Sequence, residues 1–243
     1  MASRPFKQFS PAEDEIWRIM YERQLPQVEL HGTRLWLDGA QILGLQPERI
    51  PDFARLSERL QELVDWKLVS TDIQYSDGQD WFEALARREF LVTEYIRDRD
   101  SVDYTPLPDI FHDAFGHLPF MAHRRYADYL QRFGQEAIKF KKDERRSLGS
   151  LWWYSIEFGF TWEDGVLKAL GAGLMSSYGE LQRALTDEVQ RVPYSLDAFE
   201  RIDPSPHRMH GTLFIFESLD QVVASLDDWL HVHPPREAVP QTI

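Results

Sequence analysis

The sequence predicts a single α+β domain that is mainly helical and carries short β-hairpins. Apolar residues recur at helical spacing along most of the chain, whereas the β-branched runs that suit strands are short and few. No linker, internal repeat or heptad run divides the 243 residues, and a chain of this length can bury one sizeable core. We therefore assign one domain to residues 1–230 and a loose, proline-containing tail to residues 231–243.

In the first half of the chain, the pattern predicts helices separated by two short strands. Ser10 and Glu13 form a capping box, with Pro11 at the first helical position, so the first helix has a defined start. Periodic apolar residues indicate the later helices, and apolar β-branched runs indicate the strands. The predicted helices cover residues 11–24, 35–43, 52–64 and 78–88, and the predicted strands cover residues 66–69 and 90–93.

The pattern of the second half of the chain also predicts helices and, in addition, a β-hairpin. Asp164 and Gly165 form a dipeptide typical of a tight β-turn, which predicts a hairpin over residues 162–167. The segment 151–160 is apolar on most sides, so we expect it to be a buried helix. The predicted helices cover residues 123–139, 151–160, 179–185 and 219–230, and a strand is expected over residues 212–216.

Composition excludes several classes of function. The chain has no cysteine, so it has no disulfide and no thiolate nucleophile, and any metal must be held by His, Asp or Glu. Its formal charge of −13 argues against binding to nucleic acid or to an anionic membrane surface. No apolar run reaches the roughly 18 residues of a membrane span, and no secretory signal precedes Ser10. We expect a soluble, cytoplasmic protein that acts on a small molecule.

Two histidines stand out as candidate ligands of a metal. His112 and His117 lie five residues apart, and at about 100° per residue they would point roughly 140° apart on a regular α-helix. Gly116 permits unusual backbone angles and Pro119 prevents continuation, so we predict that the helix ends here and that His117 turns back toward His112.

Glu157 supplies the third candidate ligand. It stands among Trp, Tyr, Ile and Phe, where an unpaired carboxylate would cost several kcal/mol of desolvation. Two imidazoles and one carboxylate on one face of iron(II) leave the opposite positions open, as oxygen activation requires. The spacing alone leaves a second interpretation open, in which Glu157 pairs with an arginine and the histidines lie on a surface helix.

Other kinds of site fit these residues less well. The zinc-protease helix needs histidines four residues apart with glutamate directly after the first, and the spacing here differs. A helical phosphohydrolase would use the adjacent pair His112 and Asp113, which leaves the buried Glu157 without a partner. A module that binds aromatic ligands around a purely structural metal is the non-enzymatic alternative.

Three motif blocks together resemble the pterin-dependent aromatic amino acid hydroxylases, most closely the bacterial members that act on phenylalanine. The blocks are residues 104–119, 153–159 and 171–177, within a likeness that extends over about residues 51–219. The resemblance implies a single catalytic domain of that family, in which His112, His117 and Glu157 bind iron(II). It also implies that a tetrahydropterin supplies two electrons and that dioxygen hydroxylates the ring of an aromatic amino acid.

The resemblance further implies where the amino acid binds. Arg97 matches the arginine that holds the substrate carboxylate, a task that suits a planar guanidinium, and the alternative is an ion pair at the surface. Asp109 would support Arg97 or a ligand histidine, although an aspartate here also suits a helix cap. For aromatic pocket residues, a place in the core is the alternative. The implied pocket residues are Thr105, Pro106, Pro108, Trp153, Phe158, Gly173 and Ser176.

The cofactor side departs from the family pattern. The loop that wraps the pterin in the family is replaced here by residues 70–80, which lack its glycine-leucine pair and carry extra carboxylates. Trp81 takes the stacking position, and Asp113 matches the acidic residue near the pterin. Trp152 stands where the family usually has a tyrosine beside the iron, so we place it next to the ligands.

These departures leave the reaction open in part. Phenylalanine to tyrosine is the leading expectation, and the alternatives are meta-hydroxylation, a tryptophan substrate or a different reductant. The implied partners are an aromatic amino acid, dioxygen and a tetrahydropterin. We expect a monomer, without the amino-terminal regulatory domain and the carboxy-terminal tetramerising helix of eukaryotic relatives.

Overall fold

The computed structural model describes residues 4–72, 78–103, 105, 107–199 and 211–235. Helices dominate and the strands are short, which confirms the predicted α+β class. In chain order the elements are α1 (Pro11–His31), α2 (Arg34–Leu43), α3 (Phe53–Val64), β1 (Lys67–Thr71), α4 (Gln79–Ala86), β2 (Glu89–Thr93), α5 (Leu118–Met121), α6 (Arg124–Ala137), α7 (Arg146–Trp152), β3 (Phe160–Glu163), β4 (Val166–Ala169), α8 (Ala172–Ser176), α9 (Tyr178–Ala184), β5 (Gln190–Pro193), α10 (Leu196–Phe199), β6 (Thr212–Phe216) and α11 (Leu219–Val232). Of the described helices, none has both the length and the apolar character that crossing a bilayer requires.

The first helix is longer than its sequence pattern predicts. The capping box is present, because Ser10 Oγ accepts from the backbone N–H of Glu13 and the Glu13 carboxylate accepts from the backbone N–H of Ser10. The helix does not stop near Gln24 but continues through Pro26 to His31. Gln24 is buried, and its side-chain amide donates to the carbonyl oxygens of two α8 residues at 3.1 and 2.7 Å. Tertiary contact thus overrides the local effect of the proline.

The strands of the described residues form two small sheets. β1 and β2 pair in parallel, with α4 as the crossover, and the second sheet has the strand order β4-β3-β6-β5. The predicted hairpin is the antiparallel pair β3 and β4, whose turn residues Asp164 and Gly165 have φ of 51° and 76°. The remaining pairs are parallel rather than hairpins, because long segments separate their strands.

The carboxy-terminal part departs little from the prediction. The last helix, α11, continues to Val232, two residues beyond the predicted end of the domain. Most of the predicted loose tail, residues 236–243, lies outside the described residues. The domain boundary therefore stays a prediction.

A stack of aromatic rings anchors the histidine segment to the core. Phe111 and Phe115 stack with ring centroids 4.7 Å apart and an interplanar angle of 12°. Trp17 of α1 packs edge-on against Phe111, and the Trp36 indole N–H of α2 donates to the carbonyl oxygen of Phe115 at 2.8 Å. One face of the segment is thereby held in the core, and its other face is left to carry the histidines.

α2 and α5 approach so closely that position 39 requires glycine. A Cβ on Gly39 would lie 1.8 Å from the carbonyl oxygen of Pro119 and 2.5 Å from its carbonyl carbon, and backbone atoms cannot rotate away. We expect Gly39→Ala to lower the free energy of unfolding by about 3 kcal/mol, the upper part of the usual range for overpacked cores. Urea denaturation measures the change.

Gly149→Ala in α7 is the matched control. No atom lies within 4 Å of the Cβ it would gain, so the better helix propensity of alanine should make this variant about 0.5 to 1 kcal/mol more stable. If Gly39→Ala were as stable as Gly149→Ala, α2 and α5 could separate without cost. That result would contradict the conclusion that position 39 requires glycine.

Glu180 in α9 is a buried acid outside the histidine segment. Burial raises the pKa of its carboxyl to about 7, against a weaker lowering by Arg183. This value exceeds the pKa of about 4.3 of an unfolded glutamate. Protonated Glu180 therefore contributes fully to stability at pH values below the unfolded pKa. This contribution is lost as the pH rises through the folded pKa.

We expect Glu180→Gln, which removes this titration, to gain stability over the wild type as the pH rises. Between about pH 5 and about pH 8, the free energy of unfolding of the variant should rise relative to that of the wild type by on the order of 3 kcal/mol. Urea denaturation of both proteins at each pH measures it, with the exposed Glu58→Gln in α3 as the control. A difference independent of pH would contradict the assignment.

Candidate metal centre and substrate pocket

His112 and His117 occupy a single π-helical turn, His112–His117, which we call the first π-turn. Its hydrogen bonds run from residue i+5 to residue i, so residues five apart come to the same side. The two Nε2 atoms lie 3.0 Å apart, and the ring planes are inclined by 86°. The predicted helix end is wrong, because the chain continues from the first π-turn directly into α5.

Gly116 serves a purpose other than ending the helix. A Cβ at this position would lie 2.7 Å from the carbonyl oxygen of Ala172 and 3.3 Å from the side chain of Ser176. Glycine thus lets α8 approach the first π-turn. Pro119 lies in the first turn of α5, so it does not end the helix as the sequence suggested.

Glu157 ends a second π-turn, Trp153–Glu157, which directly follows α7. The predicted helix over residues 151–160 is therefore only partly correct, since it changes to a π-turn after Trp152 and gives way to β3 at Phe160. Glu157 is 8% exposed, and its Oε1 lies 3.2 Å from Nε2 of His117. Its Oε2 lies 3.5 Å from Nε2 of His112.

The three side chains therefore converge as the sequence predicts. One ligand atom from each of His112, His117 and Glu157 lies within 4.8 Å of the other two. Two ligands about 2.1 Å from a metal and at right angles to each other are about 3 Å apart, which is the observed separation of the imidazoles. Among the described residues no arginine pairs with Glu157, so the ion-pair interpretation loses its support.

The charge states suit metal binding. Burial lowers the pKa of His112 to about 4, partly opposed by the charge of Glu157, so its imidazole is neutral at pH 7. Burial alone would raise the pKa of Glu157, but the charge and hydrogen bond of His117 outweigh it, and the pKa is lowered. A neutral imidazole and an ionised carboxylate are the forms that bind a metal.

The histidine orientations are fixed in different ways. Ser176 Oγ donates its one proton to the carbonyl oxygen of Ala172 at 2.9 Å, so it accepts from Nδ1–H of His112, also at 2.9 Å. This leaves the Nε2 lone pair of His112 for a metal. Nδ1 of His117 is buried without a partner among the described residues, and its ring is held by packing against Phe90 at 5.3 Å.

Arg97 and Asp109 form a buried ion pair beside the first π-turn. Two side-chain N–H groups of Arg97 donate to Asp109 at 2.8 Å each, and both side chains are nearly inaccessible. The partner is Asp109 rather than a surface aspartate. Asp109 also accepts from the backbone N–H of His112 at 3.1 Å, so it combines the supporting and capping roles considered from the sequence. Nη1 of Arg97 is buried without a partner among the described residues, which leaves a donor for a ligand carboxylate.

Two of the predicted pocket residues, Trp153 and Phe158, pack against each other. Trp153 is half-buried, and its ring lies 4.9 Å from that of Phe158 at an angle of 38°. Phe158 packs over Gly173, where a Cβ would lie 2.7 Å from the Cζ atom of the ring. Glycine is thus required for the position of Phe158, which is itself largely buried.

The remaining predicted pocket residues come from the segment before the first π-turn. Thr105 and Pro108 are half-buried, and Thr105 Oγ1 donates to the carbonyl oxygen of Leu107 at 3.3 Å. The hydroxyl of Tyr95 donates to the carbonyl oxygen of Pro108. Pro106 lies outside the described residues. The substrate role of all these residues stays a prediction.

On the predicted cofactor side, the structure places Trp81 and Asp113 near His117 and β2. Trp81 is half-buried, and its ring centroid lies 6.5 Å from that of His117. The Asp113 carboxylate accepts from the backbone N–H of Thr93 at 2.7 Å and from its hydroxyl at 2.9 Å. Burial raises the pKa of Asp113 to about 7. Residues 73–77 of the altered loop lie outside the described residues, so the pterin contacts stay predictions.

The sequence did not predict one partner at this site, Thr93, and it left the contact of Trp152 unspecified. Thr93, the last residue of β2, holds Asp113, and Trp152 donates its indole N–H to Oε1 of Glu157 at 2.8 Å. Only the position of Thr93 at the carboxyl end of a predicted strand pointed to the site. The sequence placed Trp152 beside the ligands but did not identify which one it touches.

Comparison with known proteins matches residues 3–235 to the family described as biopterin-dependent aromatic amino acid hydroxylase. The chain is 36% identical over 217 residues to phenylalanine-4-hydroxylase of Mesorhizobium japonicum, covering 87% of this chain and 78% of that protein. It is 32% identical over 205 residues to phenylalanine-4-hydroxylase of Pseudomonas aeruginosa, covering 80% and 78%. A solved phenylalanine hydroxylase of Chromobacterium violaceum, with bound iron(III) and 7,8-dihydrobiopterin, is similar with a TM-score of 0.86 and 29% identity, over 98% of this chain and 91% of that one.

Proposed function

Because the chain belongs to the family of biopterin-dependent aromatic amino acid hydroxylases, we propose that it hydroxylates phenylalanine to tyrosine with iron(II), a tetrahydropterin and dioxygen. The family match confirms the resemblance of the three motif blocks. The observation that carries the proposal is the convergence of His112, His117 and Glu157 in a buried site. Relatives named phenylalanine-4-hydroxylase, each covered over 78% of its length, support the choice of substrate.

The donor set fits iron(II). Two imidazoles and one carboxylate would hold the metal on one face and leave the other positions free for oxygen and substrate. When bound, iron(II) and the tetrahydropterin supply the electrons that activate dioxygen for transfer of one oxygen atom to the ring. Ser176 fixes the orientation of His112, and Trp152 contacts Glu157. Burial of His117 and Glu157 would keep bulk water from this side of the metal.

The pocket residues fit an amino acid with an apolar ring. The free Nη1 of Arg97 would donate to the substrate carboxylate, while Trp153 and Phe158 would contact the ring. Asp109 contacts both the predicted carboxylate-binding residue and the metal-binding turn, since it binds Arg97 and accepts from the backbone N–H of His112. The substrate would thus be positioned relative to the metal by a rigid set of contacts.

Product analysis tests the proposal. The protein is loaded with iron(II) without oxygen, and phenylalanine, tyrosine or tryptophan is then supplied separately with tetrahydropterin and air. We expect tyrosine from phenylalanine, identified by mass and retention time, and no product when iron, pterin or oxygen is omitted. Iron binding with no pterin binding would instead favour the altered-loop alternative, an oxygenase with another reductant. Oxygen uptake unaffected by any pterin or amino acid would overturn the enzymatic assignment.

We also propose that the protein acts as a cytoplasmic monomer. The proposal is supported by the three candidate ligands, His112, His117 and Glu157, which one chain alone brings within 4.8 Å of one another. Light scattering of the purified protein tests the oligomeric state.

A further inference from the structure

Trp152 makes a direct hydrogen bond to the carboxylate of the candidate metal centre. Its indole Nε1–H donates to Oε1 of Glu157 at 2.8 Å, and both residues are 8% exposed. An indole nitrogen is only a donor, so the contact has one possible direction and requires an acceptor oxygen on Glu157. The two residues lie five apart, since Trp152 is the last residue of α7 and Glu157 ends the second π-turn that follows it. The turn that places the ligand also places its donor.

The indole ring has little freedom to move. Trp81 packs against it edge-on with ring centroids 6.0 Å apart, Phe82 does so at 6.1 Å, and Phe133 does so at 5.3 Å. These contacts come from α4 and α6, so elements distant in sequence clamp one side chain. The N–H direction is consequently set by the core rather than by the local chain.

The rotation of the Glu157 carboxylate, by contrast, is not fixed by the torsional preference of the side chain. The terminal torsion of a glutamate is broad and nearly two-fold, so either oxygen could turn toward a metal. Apart from the two histidines, the indole of Trp152 is its only hydrogen-bond partner among the described residues. A fixed donor on Oε1 is therefore what selects one rotation of the carboxylate.

We propose that Trp152 is a positioning residue of the metal centre, whose indole N–H fixes the rotation of the Glu157 carboxylate so that it presents a metal-binding oxygen beside both histidines. This rests on the proposed function, because it assumes that the three side chains bind a metal. Groups that orient a metal ligand typically affect metal affinity by 10- to 100-fold. Loss of the N–H should therefore weaken the site although every ligand is retained.

The test compares Trp152→Phe with a matched control, Trp66→Phe. Trp66 is fully buried, and its indole nitrogen has no hydrogen-bond partner among the described residues, so its replacement costs packing alone. Metal-free wild type and both variants are titrated with cobalt(II) in calorimetry, and the absorption bands of the bound cobalt are recorded. We expect Trp152→Phe to bind about 10- to 100-fold more weakly with altered bands. We expect Trp66→Phe to match the wild type.

A second replacement keeps the test decisive if the smaller phenylalanine disturbs the core. Replacing Trp152 with the sulfur analogue 3-benzothienylalanine preserves the shape of the ring and removes only the N–H. We expect this protein to keep wild-type thermal stability in the metal-free state and to show the same loss of cobalt affinity. Wild-type affinity and bands in this protein would overturn the role of Trp152. Failure of the wild type itself to bind cobalt or iron would instead overturn the proposed function.

Discussion

The His112→Ala variant is expected to remain folded but to lose iron(II) binding by more than about 100-fold and product formation with it. Loss of a group that merely orients a ligand already costs 10- to 100-fold in affinity, so loss of a ligand should cost more. The variant also leaves His117 and Glu157 as a two-ligand site. Folding should survive because His112 is partly exposed, while the stacked rings of Phe111 and Phe115, which anchor the turn, are unchanged.

Metal content after loading and dialysis, together with tyrosine production, measures the effect. His231→Ala is the control, because His231 is exposed in the last turn of α11. It should bind iron and turn over like the wild type. Retention of stoichiometric iron by His112→Ala would mean that the metal is held elsewhere, and the assignment of all three ligands would fail.

Arg97→Met is expected to destabilise the protein by about 3 to 5 kcal/mol, the usual cost of removing one partner of a buried ion pair. Asp109 is completely buried, and no other described cation replaces the lost guanidinium. The exposed pair of Arg124 and Asp65 provides the control. There, Arg124→Met should change the free energy of unfolding by less than about 1 kcal/mol.

A double variant separates the two roles of Arg97. Adding Asp109→Asn to Arg97→Met removes the unpaired charge, so part of the lost stability should return in urea denaturation. Substrate binding should not return, and the KM for phenylalanine should rise by about 10- to 100-fold in both variants, the value of a hydrogen bond to a charged group. An unchanged KM would remove Arg97 from the substrate pocket while leaving its structural role intact.

The sequence was sufficient to predict most helices and the three side chains of the candidate metal centre. Apolar periodicity predicted α2, α3 and α6 because each of these helices buries one face. A helix with one buried face has apolar residues at regular helical spacing. The ligand set followed from a carboxylate among aromatic residues and from motif order. These features are local, or they are strong enough to be recognised without knowing which residues meet in space.

What could not be predicted depends on backbone geometry or on distant contacts. A π-turn uses ordinary residue types, so nothing in the run from His112 to His117 distinguishes it from an α-helix that ends. The hydrogen bond from Thr93 to Asp113 connects residues 20 positions apart in the sequence, and it depends on how β2 packs against the first π-turn. The extension of α1 beyond Gln24 likewise depends on α8, which lies 150 residues away.

Both ligand-bearing segments contain a π-turn, so the geometry of the site depends on how the backbone is wound. If residues 112–117 adopted regular α-helical winding at the same length, His112 and His117 would point roughly 140° apart instead of toward one metal. Substitutions that favour α-helical winding within either turn should therefore weaken metal binding even where every candidate ligand is retained.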